Sequence, residues 1–180
     1  MRLVDRLWVH KIRQGDVAAF ESLIKKYKDK IFNYSCYLVQ DYQMAEEITQ
    51  DVFLKVYHKI NQYNPDISSL STWIMTIAHN ESINKIMRKK NELFLEEQCL
   101  KIPSTQNPEQ LVLEGEVIKD LVQALNALTI KEKSILLLKD YYGYKIKEIG
   151  QMMNTSEGTV KSTLHGARLK IRERIGESHD

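Results

Sequence analysis

The sequence predicts an all-α protein: two small helical domains joined by a flexible linker. Three observations predict it. Apolar residues recur at helical spacing along most of the chain, and no segment sustains a period-two alternation. The polar stretch Lys101–Pro108 has no apolar period and carries two of the three prolines, Pro103 and Pro108. These place a first domain at 1–95, a linker at 96–112 and a second domain at 113–180.

The first domain reads as a series of helices. Gly15-Asp16 stops one short segment and opens another, with Asp16 as N-cap. Phe20, Leu23/Ile24, Tyr27, Ile31 and Leu38 follow at helical spacing. A helix from about Met44 to Ile60 puts Ala45, Ile48, Val52, Val56 and Ile60 on one face. Asn61–Ser69 is turn chemistry and predicts a loop. Ser71 or Thr72 then opens a long helix through Lys90.

In the second domain Ile118, Leu121/Val122, Leu125 and Leu128 form one stripe. Thr129-Ile130-Lys131-Glu132 fits a capping box and starts the helix that carries Ile135 to Leu138. Gly143 ends it. Ile146, Ile149, Gly150 and Met153 make a short stripe, Asn154-Thr155-Ser156 breaks the chain, and a last helix runs from Glu157 to about Arg174.

Composition bounds the function. In 180 residues, AVILMFWYC make up 43% and DEKR 28%, which suits a globular chain and argues against a disordered or collagen-like one. Net charge is +2, so a nucleic-acid surface must come from clustering. Two cysteines, Cys36 and Cys99, are too few for a disulfide framework or a cysteine zinc site and suit a reducing compartment. No apolar run approaches the roughly 20 residues that span a bilayer. The expectation is a cytoplasmic protein with no direct membrane insertion.

The end of the chain has the sharpest local signal. A short helix, a tight turn and a cationic helix make a helix-turn-helix pattern. On the last helix Val160, Leu164, Ala167 and Ile171 are placed to pack inward. Lys161, His165, Arg168 and Arg172, one position on, are placed to face out together. Cations there can hold phosphates, and Ser162 and Thr163 near the helix start can touch base edges. The plain alternative is a solvated helix whose cations answer the helix dipole.

Two further faces stand out in the first domain. Trp73, Asn80, Asn84 and Met87/Arg88 share one side of a helix that ends in Lys85, Arg88, Lys89 and Lys90, with Tyr63 and Asn64 in the loop before it. An aromatic plate, amides and cations can stack on and hydrogen-bond unstacked bases; a buried Trp with two ordinary surface Asn accounts for the same spacing. Asp41–Leu54 holds four acids and no Lys or Arg, with Glu47, Gln50, Asp51 and Leu54 on one face. That face suits a basic protein helix, and a solvated face fits equally.

Enzyme signals are lacking. Glu46 and Glu47 diverge on a helix, the five His are scattered, and the seven Gly form no phosphate loop. The reading is of a protein that is not an enzyme and needs no cofactor or metal.

The order of these parts resembles the sigma-70 family of bacterial RNA polymerase sigma factors, and more narrowly the extracytoplasmic-function (ECF) sigma factors with their sigma-two and sigma-four domains. The resemblance is carried by Gly15–Glu21, Ala45–Lys55, Leu70–Ile74 with Ile77–Asn80, and Gly143–Arg168. It implies a promoter-specificity subunit of RNA polymerase. Glu47, Gln50, Asp51, Phe53 and Leu54 would grip the clamp helices of the polymerase beta-prime subunit. Tyr63, Asn64, Trp73, Asn80, Asn84, Arg88 and Lys89 would recognise and melt the −10 element. Lys161, Ser162, Thr163 and His165 would read the −35 duplex, with Arg168 on the backbone and Arg172 alongside. The beta flap, promoter DNA and an anti-sigma factor complete the implied partners. Leu70, Asn84, Thr129, Lys133 and Gly166 depart from residues common in the family. Two rivals are a helix-turn-helix regulator with a helical partner domain and a small helical hydrolase.

Overall fold

The computed structural model describes residues 2–99 and 124–177; most of the predicted linker, and Ile118, Leu121 and Val122 of the predicted stripe, lie outside them. Seven helices are described: α1 (Arg2–Arg13), α2 (Val17–Val39), α3 (Tyr42–Lys59), α4 (Leu70–Cys99), α5 (Ile130–Leu136), α6 (Ile146–Met152) and α7 (Glu157–Glu177). A 3₁₀ turn at Ile60–Gln62 follows α3, and a π-helical turn at Leu137–Tyr141 follows α5. Residues 124–126 are also helical, and no strand occurs among the described residues. The chain divides into two compact units: Met1–Arg88 with Gly150–Asn154, and Lys89–Ile149 with Thr155–Asp180.

Local chemistry sets the helix boundaries of the first unit. Gly15 adopts φ +86°, which ends α1. The Asp16 carboxylate then accepts from the Ala19 N–H at 3.0 Å and starts α2. Gln40 closes α2 in the left-handed region, its N–H donating to Cys36 O. Asp41 caps α3 by accepting from Met44 N–H at 3.0 Å, so α3 begins two residues before the expected Met44.

The start of α4 corrects the prediction of Ser71 or Thr72. Ser69 is the cap: its Oγ accepts from the Thr72 N–H at 3.1 Å and shares a hydrogen bond with the Thr72 hydroxyl at 2.8 Å. This places Leu70 inside the first turn, where it is buried. The far end is also later than Lys90, because α4 runs to Cys99. No Gly or Pro interrupts Leu70–Cys99.

The predicted stripes of α2 and α3 form much of the core. Leu23, Tyr27, Ile31 and Leu38 of α2 are buried, with Phe20 and Ile24 half-buried, and Ala45, Ile48, Val52 and Val56 of α3 are buried; Ile74, Met75 and Ala78 of α4, which no stripe predicts, complete it. Burial of such side chains contributes about 1.5–3 kcal/mol each. A polar seam crosses this apolar interior. Tyr34 Oη and His79 Nδ1 share a hydrogen bond of 2.9 Å, and Ser82 donates to Ser35 Oγ and Ala78 O.

In the second unit, α5 starts with the predicted capping box. Thr129 Oγ1 accepts from the Glu132 N–H, and the Glu132 carboxylate accepts from the Thr129 N–H and hydroxyl. Leu128, Ile135, Leu138, Ile149, Val160, Leu164 and Ala167 are buried, whereas Ile171 is half-buried.

Candidate nucleic-acid interface

The helix-turn-helix is built locally. Asn154 sits in the left-handed region at φ 48°, a conformation Asn tolerates, and turns the chain after α6. Ser156 then caps α7: its Oγ accepts from the Thr159 N–H at 3.1 Å. With Val160, Leu164 and Ala167 inward, Lys161, Ser162, His165, Arg168 and Arg172 are all exposed, as their spacing predicts. Thr163 is half-buried on the flank.

Arg168 and Lys170 of α7 pair with acids of the same unit. Both Nε and a terminal nitrogen of Arg168 donate to the Asp140 carboxylate, at 3.1 and 2.5 Å. This pairing holds the guanidinium pKa above its ordinary value. Lys170 donates to Glu132 at 2.7 Å, so the acid of the capping box also anchors α7. Asp140 lies on the π-helical turn, where the Tyr142 N–H reaches back to Leu137 O. Lys161 and Arg172 remain outward cations of the predicted row.

In the first unit the α3 face is exposed at Glu47, Gln50, Asp51 and Leu54, the last at 59%. Phe53 corrects the predicted surface: it is buried, because it flanks the core stripe one turn from Thr49 and Val56, both buried. Glu47 is tied to Lys85 of α4 at 2.6 Å, and Lys55 to Glu81 at 2.5 Å. Glu47 first, with Asp51 adding to it, raises the Lys85 pKa, while burial and the neighbouring Arg88 act against the rise.

Along α4, Asn80, Asn84 and Arg88 are exposed in a row, Trp73 and Lys89 are half-buried, and Asn64 is exposed in the preceding loop. Tyr63 differs from the expected loop surface. It is buried, its ring lies 5.4 Å from that of Trp73, and its hydroxyl donates to Ser68 O. The two rings form a support for the loop rather than two open plates. Asn64 Oδ1 accepts from the Asp66 N–H at 2.9 Å, which shapes the turn.

Two contributors are not marked by the sequence. Arg13, in the last turn of α1, donates to Ile60 O and to Tyr63 O, the latter at 2.6 Å, and so fixes the loop's entry. Ile67 stands 70% exposed at the loop tip. Neither lies on a periodic face, so no spacing argument marks them. Among the described residues, no group of His, Cys, Asp and Glu could hold a metal ion, and no helix is long and apolar enough to cross a membrane.

Comparison with known proteins bears on both units. A family model described as Sigma-70 region 2 matches residues 23–92, and one described as Sigma-70, region 4 matches residues 118–171. The chain belongs to the sigma-70 family. It is a sigma factor of the ECF type, and the alternative of a regulator with an unrelated first domain is not favoured, since region 2 occupies that place. ECF RNA polymerase sigma factor SigW of Bacillus subtilis is 28% identical over 97% of this chain and 98% of its own. RNA polymerase sigma-H factor of Pseudomonas aeruginosa is 27% identical over 93% and 91%. Two solved structures share the fold. One is the sigma factor RpoE in complex with the anti-sigma factor NepR from Bartonella quintana, with TM-score 0.69, 22% identity, and coverage of 87% of this chain and 96% of that one. The other is CnrH in complex with the cytosolic domain of CnrY, with TM-score 0.70, 16% identity, and coverage of 97% and 98%. Sigma factors are transcription initiation factors, a class distinct from enzymes.

Proposed function

We propose that this sigma factor docks on core RNA polymerase through the α3 face and delivers it to promoters that its two units read separately. The observation that carries the reading is the pairing of unlike surfaces: an acidic, partly apolar face on α3 and an outward basic row on α7. Glu47, Gln50, Asp51 and Leu54 suit a cationic helix pair such as the beta-prime clamp helices, and Phe53 supports that face from inside. Asn80, Asn84 and Arg88, with Lys89 and the loop bearing Asn64, suit an unstacked −10 strand, and Tyr63 and Trp73 brace the loop. Lys161, Ser162, Thr163, His165 and Arg172 suit the −35 major groove, and Arg168, paired with Asp140, sets the pose of α7. The beta flap is the proposed contact of the second unit. The chain acts in the cytoplasm and contributes no catalytic chemistry of its own. An anti-sigma protein is a proposed partner, by likeness to the RpoE and CnrH complexes.

Charge reversal at Asp51 tests the docking face. Asp51→Lys is expected to weaken binding to core polymerase by at least about tenfold, as removal of an interfacial charge pair does. Unchanged affinity would remove α3 from the interface.

A further inference from the structure

The ion pair between Glu47 and Lys85 joins two surfaces that the proposed function assigns to different partners. Glu47 belongs to the acidic face of α3. Lys85 belongs to the basic end of α4, beside Asn84 and one turn before Arg88. Their side chains meet at 2.6 Å, and both are partly open to solvent, at 49% for Glu47 and 32% for Lys85. An incoming partner can therefore reach either one. A carboxylate that accepts a cation from a docking helix has less to offer Lys85, and an ammonium held by Glu47 has less to offer a phosphate.

We propose that Lys85 is a shared cation: in the unbound chain Glu47 holds it away from nucleic acid, and occupation of the α3 face by a cationic protein partner releases it to a phosphate of single-stranded DNA. The inference rests on the docking and strand-binding roles proposed above. It adds an exchange between them, so that docking favours strand binding and strand binding favours docking to the same degree. An exposed ion pair bounds the effect to about two- to fivefold in an equilibrium. Asp51 lies near enough to Lys85 to act on it, so removal of Glu47 alone releases Lys85 in part. The second α3–α4 pair, Lys55 with Glu81, stays in place and keeps the helices in register while the first opens.

The test uses the full chain and a short fluorescein-labelled single-stranded DNA, read by fluorescence anisotropy at fixed salt. Glu47→Gln removes the charge and keeps the shape. It is expected to tighten DNA binding about two- to fivefold. Glu46→Gln, one residue and about 100° away on the same helix, removes the same charge from a different face and is expected to change affinity much less. In a Lys85→Ala background, Glu47→Gln is expected to give no gain. Equal gains from Glu46→Gln and Glu47→Gln, or a gain that survives Lys85→Ala, would show a general charge effect and overturn the exchange. No gain from Glu47→Gln would overturn it as well. Run-off transcription with core polymerase and the unaltered chain separates this failure from that of the underlying reading. Initiation at promoters alongside a flat variant series sinks the exchange alone, whereas no initiation sinks the reading beneath it.

Discussion

His79 shows what a single buried residue does for this fold. Burial pushes its imidazole down to about 4, and Tyr34 supplies its hydrogen bond. The unfolded chain takes up this proton near pH 6.5 and the folded chain only near 4. The unfolded state therefore binds more protons between those values, and stability falls as pH drops through that window. The loss is on the order of 3 kcal/mol when complete. Urea midpoints measured from about pH 7 to 4.5 are expected to fall more steeply for the wild type than for His79→Asn, which cannot titrate; parallel curves would contradict the assignment. Arg168 is a second case. Its bidentate pair with Asp140 makes it a brace for α7, so Arg168→Ala should cost up to about 1 kcal/mol of thermal stability. The salt dependence of duplex binding should stay the same in that variant, whereas a slope smaller by about 0.9 would mean that Arg168 neutralises a phosphate instead. Neither role is legible in the sequence. The periodicity places Arg168 outward correctly, but Asp140 lies 28 residues away on a π-helical turn that one extra residue in an apolar run does not announce.

At the scale of elements, most helix starts are readable because their caps are chemical. Asp16 and Thr129 cap as their sequence context predicts, and the stripes on α2, α3 and α7 face inward as their period predicts, with Phe20, Ile24 and Ile171 only half-buried. The start of α4 is less readable because Ser68, Ser69, Ser71 and Thr72 all offer hydroxyls, and what selects Ser69 is the need to bury Leu70. Ser69→Ala is expected to destabilise the first unit by about 0.5–2 kcal/mol. A thermal melt of the variant beside the wild type checks this, and an unchanged midpoint would contradict the Ser69 cap. The later end of α4 is hidden for the opposite reason. Its last residues carry no clear core stripe, yet they hold no breaker either, and helix-forming side chains carry the helix on. Phe53 and Tyr63 mark the limit of face assignment: a residue on the flank of a stripe, or in a loop, is taken inward by packing that spacing alone does not reveal.

For the whole molecule, the function follows from having two recognition units on one chain. One unit presents an acidic, partly apolar face on α3 and an amide-and-cation row on α4, the other a basic helix in a helix-turn-helix. Each surface alone fits a plain solvated reading, and their order along the chain is what makes the family legible. The ion pairs of Glu47 with Lys85 and of Asp140 with Arg168 join residues far apart in sequence, and only the fold brings them together. In vitro transcription with purified core RNA polymerase on a pooled promoter library, with and without this sigma factor, is the most direct measurement. The expected result is initiation at a new set of templates that share both a −10 and a −35 element, with Lys161→Ala lowering output from them. A start-site profile identical to that of core polymerase alone would contradict it.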